Sequence, residues 1–216
     1  MAGRTARSER VGATKDSILL TAERLFAEHG VFAVSNRQVS EAAGQGNNTA
    51  VGYHFGTKTD LIRAIVRKRS EPVEAIRVRM VAAIPPDAGV REWVECLVRP
   101  SIEHLAQLGR PTWFARFGAQ VMTDPALRPI MVEESLTAPS LRQIVDGLHR
   151  CQPDLPDEVR AERGDMARQL MVHMTAERER ALAESVTTPR ATWDDAANGL
   201  VDGITGLWLA PVTPAS

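Results

Sequence analysis

At 216 residues, 44% hydrophobic and 25% charged, the chain has the make-up of a soluble globular protein with one or two cored domains, which excludes a fibrous or wholly disordered polymer. Aromatic residues make up only 5% and no alternating run of Val, Ile and Thr occurs, so the composition favours an all-α fold over sheets. The net charge of -1 conceals a division: residues 1–70 hold 11 Lys/Arg against 6 Asp/Glu and the remainder 15 against 21, the pattern of a polyanion-binding head on a body with another task.

Residues 1–13 are small and polar, carry Arg4, Arg7 and Arg10, and are expected to form a flexible basic arm, either a plain loose terminus or a strand of arginines along a phosphate or minor groove. Ile18, Ala22, Leu25 and Phe26 then recur at helical spacing from Thr14 to His29, and Gly30 ends that helix. Ser35 opens the next one with a complete start pattern: Gln38 three residues on closes a capping box, and Val34 and Val39 are placed as a hydrophobic staple. Val39 and the Ala42/Ala43 pair give it an apolar edge, and Gly44 supplies the left-handed residue that ends it.

Asn47 is the next N-cap by residue type, starting a helix of about two turns to Phe55. Val51 and Phe55 face inward, which leaves Asn48, Thr49, Ala50, Tyr53 and His54 outward without an acid among them. Such a face can approach base edges and phosphate oxygens. Thr57 caps the following helix with Asp60, and Lys58 stands in its first turn beside the same surface. Two short helices around a glycine turn read as a helix-turn-helix, whose usual target is DNA.

Over residues 14–65 the order of helix, Ala-Ala-Gly turn, a short helix ending in Tyr53-His54-Phe55, then Gly-Thr-Lys and Leu61, resembles the DNA-binding domain of the TetR (tetracycline-repressor) family of bacterial regulators. Two departures are visible: one residue is added between Gly44 and the second helix, and Gly52 stands where an aromatic is common. The resemblance implies a three-helix DNA-binding domain over 14–60 and a larger helical effector-binding and dimerisation domain over 61–216. It implies contacts to double-stranded operator DNA from Arg37, Asn47, Asn48, Thr49, Ala50, Tyr53, His54 and Lys58.

Further along, Leu61, Ile62, Ile65 and Val66 begin a helix joining head to body, with a kink or break expected at Pro72 near Ser70 and a stop at Pro85-Pro86. Helices follow over 89–108, with a second kink at Pro100, and over 112–123. A longer segment runs from Asp124 to Arg150, with a break expected near Pro139. Residues 157–185 form one long helix carrying Met166, Leu170, Met171 and Met174, and a last helix covers 192–209. Its Gly199, Gly203 and Gly206 each cost a helix interior about 1 kcal/mol relative to Ala. Close approach by another helix would offset that cost, and a frayed end is the alternative reading.

By the same resemblance the last two helices pair with a twin into a homodimer, and the middle helices enclose a small apolar or amphipathic effector. Trp93, Leu97, Trp113, Phe117, Met122, Met171 and Met174 are the candidate lining, although a stripe of this kind also suits plain core. His104, His149 and His173 are expected as hydrogen-bonded structural residues, with no metal site and no cofactor. Cys96 and Cys151 form no CxxC pair, no stretch is apolar enough for a membrane span, and no signal peptide is visible, so a cytoplasmic location is expected. An enzyme reading has no GxSxG, HExxH, P-loop or GxGxxG to stand on, hence no catalytic residues. A helical adaptor remains as a rival and predicts DNA affinity without sequence preference.

Overall fold

The computed structural model describes residues 2–45 and 49–213. Side-chain caps set several of the helix starts. The described chain forms α1 (Ala2–His29), α2 (Asn36–Ala42), α3 (Ala50–Phe55), α4 (Lys58–Ala82), α5 (Val90–Gln107), α6 (Phe114–Thr123), α7 (Arg128–Leu136), α8 (Pro139–Cys151), α9 (Asp157–Ala183) and α10 (Trp193–Leu209). No strand occurs among the described residues. Capping boxes join Ser35 to Gln38, Thr57 to Asp60 and Thr192 to Asp195, each satisfying orphan N–H groups from within one turn.

Several elements differ from the sequence expectation. α1 begins at Ala2 rather than near Thr14, so the backbone expected as a loose arm is helical. No proline interrupts those residues, and Ala, Arg and Glu among them suit a helix. α4 runs unbroken through Pro72 and α5 through Pro100. A single proline removes one backbone donor, which a helix packed along its length can tolerate. The segment after Asp124 does break at Pro139, into α7 and α8.

Two apolar clusters hold the chain together. The first packs Ile18 and Phe26 of α1, Val39 of α2, Val51 of α3 and Leu61 and Ile65 of α4 against Phe117 and Val121 of α6 and Leu127 and Ile130 beside and on α7. The rings of Phe26 and Phe117 stack with centroids 6.1 Å apart. The second cluster joins α5, α8, α9 and α10 around Trp93, Val94, Ile144, Leu148, Val201 and Ile204. There Gly147 lets α8 approach α5: a Cβ at that position would stand 2.3 Å from the Trp93 ring.

Buried polar groups bridge these layers. Arg69 of α4 makes a two-bond ion pair with Glu23 of α1 (2.7 and 2.8 Å), and both are buried. Glu179 of α9, 1% exposed, accepts from the backbone N–H groups of Ala115 and Arg116 (3.2 and 2.9 Å) and from the Thr112 hydroxyl (2.7 Å). Its carboxylate therefore sits at the positive end of α6. Gln120 of α6 completes the bridge, accepting from Val31 N–H (3.0 Å) and donating to Ala27 O (3.3 Å).

Candidate nucleic-acid interface

Gly44 turns the chain after α2 with φ 69°. Three residues further on, Asn47 and Asn48 lie outside the described residues, so their expected contacts are not placed. The second helix starts at Ala50, later than an Asn47 cap would put it, with Thr49 in the capping position and no side-chain cap bond from it. Capping comes instead from Ser40 of α2. Its hydroxyl, fully buried, accepts from Val51 N–H (3.2 Å) and donates to Asn36 O (3.0 Å). The sequence reading missed Ser40, whose only visible sign is a serine on the inward side of a short helix.

The inward side of α3 is wider than Val51 and Phe55 alone, because Ala50 at its start packs into the same cluster. Ala50 is accordingly 7% exposed and belongs to the core. It cannot serve as the outward contact expected of it. Tyr53, on the opposite side from Val51, is 82% exposed. The ring of His54 meets it edge-on with centroids 4.9 Å apart, and Thr49 is exposed beside them. No acid interrupts α3.

Lys58 turns away from this face. Its ammonium donates to Val34 O at 2.6 Å and stands 5.5 Å from the centroid of the Phe26 ring. Partial burial pushes its pKa below the usual lysine range. In this geometry Lys58 clamps the loop before α2 onto α4, and a phosphate contact would require it to let go. Arg37 is exposed and pairs along its own helix with Glu41 at 2.8 Å, a partner that a phosphate can displace. Among the described side chains, Arg24 pairs with Glu28, and the nearby cations of α4 are engaged as well: Arg63 with Glu133, Arg67 with Glu134 and Lys68 with Asp16. Lys15 is exposed with no ion pair among the described residues.

The seven residues expected around an effector do not converge on one cavity. Phe117 is fully buried in the head's own cluster. Trp93 lies against Gly147 and Arg150, Leu97 and Met171 pack on the second cluster, and Met122 is buried. Trp113 donates from its indole to Glu28 (3.1 Å). Met174 alone of the seven lines the cavity of about 530 Å³ between α9, α10 and the linker joining them. His104 is buried edge-on to Phe114, yet its Nε2 has no acceptor or donor among the described residues, unlike His173, which meets Gln169 at 3.0 Å. Burial, then the nearby Arg69 charge, hold the His104 pKa below its ordinary value.

Glycines 203 and 206 of α10 have no atom within 4 Å of where a Cβ would stand, so the close approach expected to compensate for them does not occur within one subunit. They are exposed. On α9, Met166, Leu170 and Met174 form an exposed apolar stripe at four-residue spacing. None of the helices among the described residues is long and apolar enough to cross a membrane.

Known proteins share both halves of this architecture. Residues 18–65 match the family of bacterial regulatory proteins described as the tetR family, and residues 95–206 match the tetracyclin repressor-like C-terminal domain. No curated protein matches. Among solved structures, a tetR family transcription regulator from Shewanella sp. PV-4 superposes with a TM-score of 0.60 at 15% identity, covering 90% of this chain and 95% of its own. The TetR family transcriptional regulator PfmR from Thermus thermophilus gives 0.56 at 20% identity, over 87% and 96%. A TetR-family regulator from Mesorhizobium loti gives 0.51 at 13%, over 93% and 96%. At these identities the likeness is one of fold.

Proposed function

The chain belongs to the TetR family of transcriptional regulators, with an N-terminal DNA-binding domain, and from that premise we propose that it is a cytoplasmic homodimeric repressor. It binds a palindromic operator and is released by a small molecule. The observation that carries the reading is α3, which turns the 82% exposed Tyr53 outward with His54 and Thr49 beside it, while Ser40 fixes its start from α2. A six-residue helix reads only a few base pairs, so two heads on a dyad supply the missing specificity. The exposed stripe of Met166, Leu170 and Met174 with the bare glycines of α10 is a surface suited to the twin. Effector release requires a coupling of about 1–3 kcal/mol between the ligand and DNA sites.

Selection of bound fragments from random duplexes, with the mass of the free protein measured by sedimentation, tests this. The expected result is a dimer and a site of two inverted halves with centres about 34 Å or a multiple apart. The affinity should fall steeply with salt. Binding without sequence preference, or a protein that sediments as a single subunit, refutes it.

A further inference from the structure

His104 is buried where the body meets the head. It lies on α5 and is 5% exposed, with its ring edge-on to Phe114 of α6 at 6.4 Å between centroids. Phe114 packs in turn on the first apolar cluster. The Nε2 of His104 meets no donor or acceptor among the described residues. Arg69 borders the same phenyl ring, its guanidinium carbon 5.9 Å from the centroid, and its two bonds to Glu23 (2.7 and 2.8 Å) tie α4 to α1. One aromatic ring thus has an imidazole on one border and the guanidinium of the head's buried ion pair on another.

The charges around this imidazole are taken. From α4 come Arg69 and, further along, Glu74, which bonds Ser140 and Arg77. From α1 comes Glu23 through Arg69, and from α9 come Glu179, which caps α6, and Arg178, which is bonded to the linker before α10. Arg116 of α6 is paired with Glu179. The charges of α8 and α10 meet α5 elsewhere or face solvent: Arg150 lies over Trp93, Asp194 and Asp202 pair with Arg99 and Arg91, Asp195 caps α10, and Arg142 and Asp146 are exposed. On α5 itself, Glu103 is exposed and accepts from Gln107. Glu23 and Glu179 are the buried acids among the described residues, and neither is free.

We propose that His104 is a proton-operated catch between body and head: a proton on its imidazole loosens the tie among α1, α4 and α6 and lowers the affinity for DNA. A neutral imidazole fits beside Arg69. An imidazolium adds a second cation there and brings an Nε2–H that requires an acceptor. If Glu23 supplies it, Arg69 is stranded and α1 is freed from α4. If Glu179 supplies it, the start of α6 loses its cap, and α6 grips α1 through Gln120. Either arrangement binds the proton more tightly than the closed one, so by linkage acid favours the loosened head. Burial, then the Arg69 charge, already hold the imidazole below its ordinary pKa, which keeps the catch closed at neutral pH. The device rests on the regulator reading only for its effect on DNA.

The test compares the full-length wild type with His104→Gln and His104→Phe between pH 7.5 and 5.5 at constant ionic strength. Affinity for the selected operator is read by anisotropy, and His54 on α3 is common to all three proteins, so its own effect cancels. Relative to both variants, wild-type affinity should fall by about three- to tenfold at pH 5.5; one proton on a released imidazole of pKa about 6.5 can supply about tenfold there. Glu23, pushed up by burial against the pull of Arg69, is also common to the three. In the free protein the Trp113 indole, bonded to Glu28 of α1 (3.1 Å), reports the contact between α1 and α6. The acid-dependent fluorescence change that Trp113→Phe removes should vanish in His104→Gln as well. Variant profiles parallel to wild type, whatever their offset, overturn the proposal. A protein that selects a palindrome with one pH profile in all three forms sinks the catch alone, whereas a His104-dependent Trp113 change in a protein without DNA preference sinks the regulator reading alone.

Discussion

Lys58 separates two accounts of the head. If its ammonium contacts a phosphate, Lys58→Met lowers the salt slope of DNA binding by about 0.9 and leaves folding alone. The structure assigns it other work, a 2.6 Å bond to Val34 O above the Phe26 ring. A hydrogen bond from a charged donor contributes about 1.5–3 kcal/mol, to be taken at its low end for a half-exposed group. The cation–π contact adds about 0.5–1 kcal/mol. Methionine keeps the packing of the stem, so the expected loss is about 2 kcal/mol. With m near 2–3 kcal/mol/M in urea, the unfolding midpoint should fall by about 0.7–1 M at constant m. Anisotropy titrations over a salt series should show weaker binding with an unchanged slope. A midpoint equal to wild type together with a slope smaller by about 0.9 would refute the clamp and put Lys58 on the DNA.

Three further outcomes follow from the buried polar groups. Ser40→Ala leaves Val51 N–H without its acceptor, which should cost about 1–2 kcal/mol and speed amide exchange at Val51; exchange at the wild-type rate would mean that α3 does not depend on this cap. Glu23→Gln should cost about 3–5 kcal/mol by stranding the buried Arg69, while Glu23→Leu with Arg69→Met recovers most of it. A double variant no more stable than the single one contradicts that account. His104 has a native pKa below its ordinary 6.5, so the unfolded chain binds the extra proton, and stability should fall as pH drops from 6.5 towards the native value. His104→Phe should flatten that part of a pH series of denaturation midpoints, and an unchanged acid limb would show that another group causes it.

What the sequence displayed was whatever is settled within a turn of the chain. Ser35 with Gln38 and Thr57 with Asp60 are visible because donor and acceptor are three residues apart, and the structure forms both boxes. Family membership was legible for a related reason, since a glycine turn between two short helices has its own local residue order. The partners that position the candidate site are remote: Ser40 meets Val51 across eleven residues and Lys58 meets Val34 across 24. Only the approach of helices reveals them. Asn47 was a reasonable cap by residue type, but the helix begins at Ala50 and takes its cap from Ser40. Phe117 and Trp93 misled for a different reason, because helical periodicity marks an inward side chain and does not distinguish a filled core from a cavity wall.

The boundary expected at residues 60/61 marks where the DNA-binding motif ends, but the packing runs through it. Phe117, Val121, Leu127 and Ile130 come from the body's side of that boundary and share one buried cluster with Phe26, Val39 and Val51. Gln120 bonds to Ala27 and Val31, and Trp113 to Glu28. Two arginines of α4 reach α7 through Glu133 and Glu134. On its far side, the start of α6 is held by Glu179 of α9. The helix is thus fastened at one end to α9 and along its length to the head's first helix. A close-packed interior responds to displacement by shifting between discrete arrangements rather than by stretching. Any ligand that moves α9 relative to α6 therefore has to strain the Glu179 cap or carry α1 with it, and α1 packs on α2 and α4, the two helices that hold the one on which Tyr53 stands.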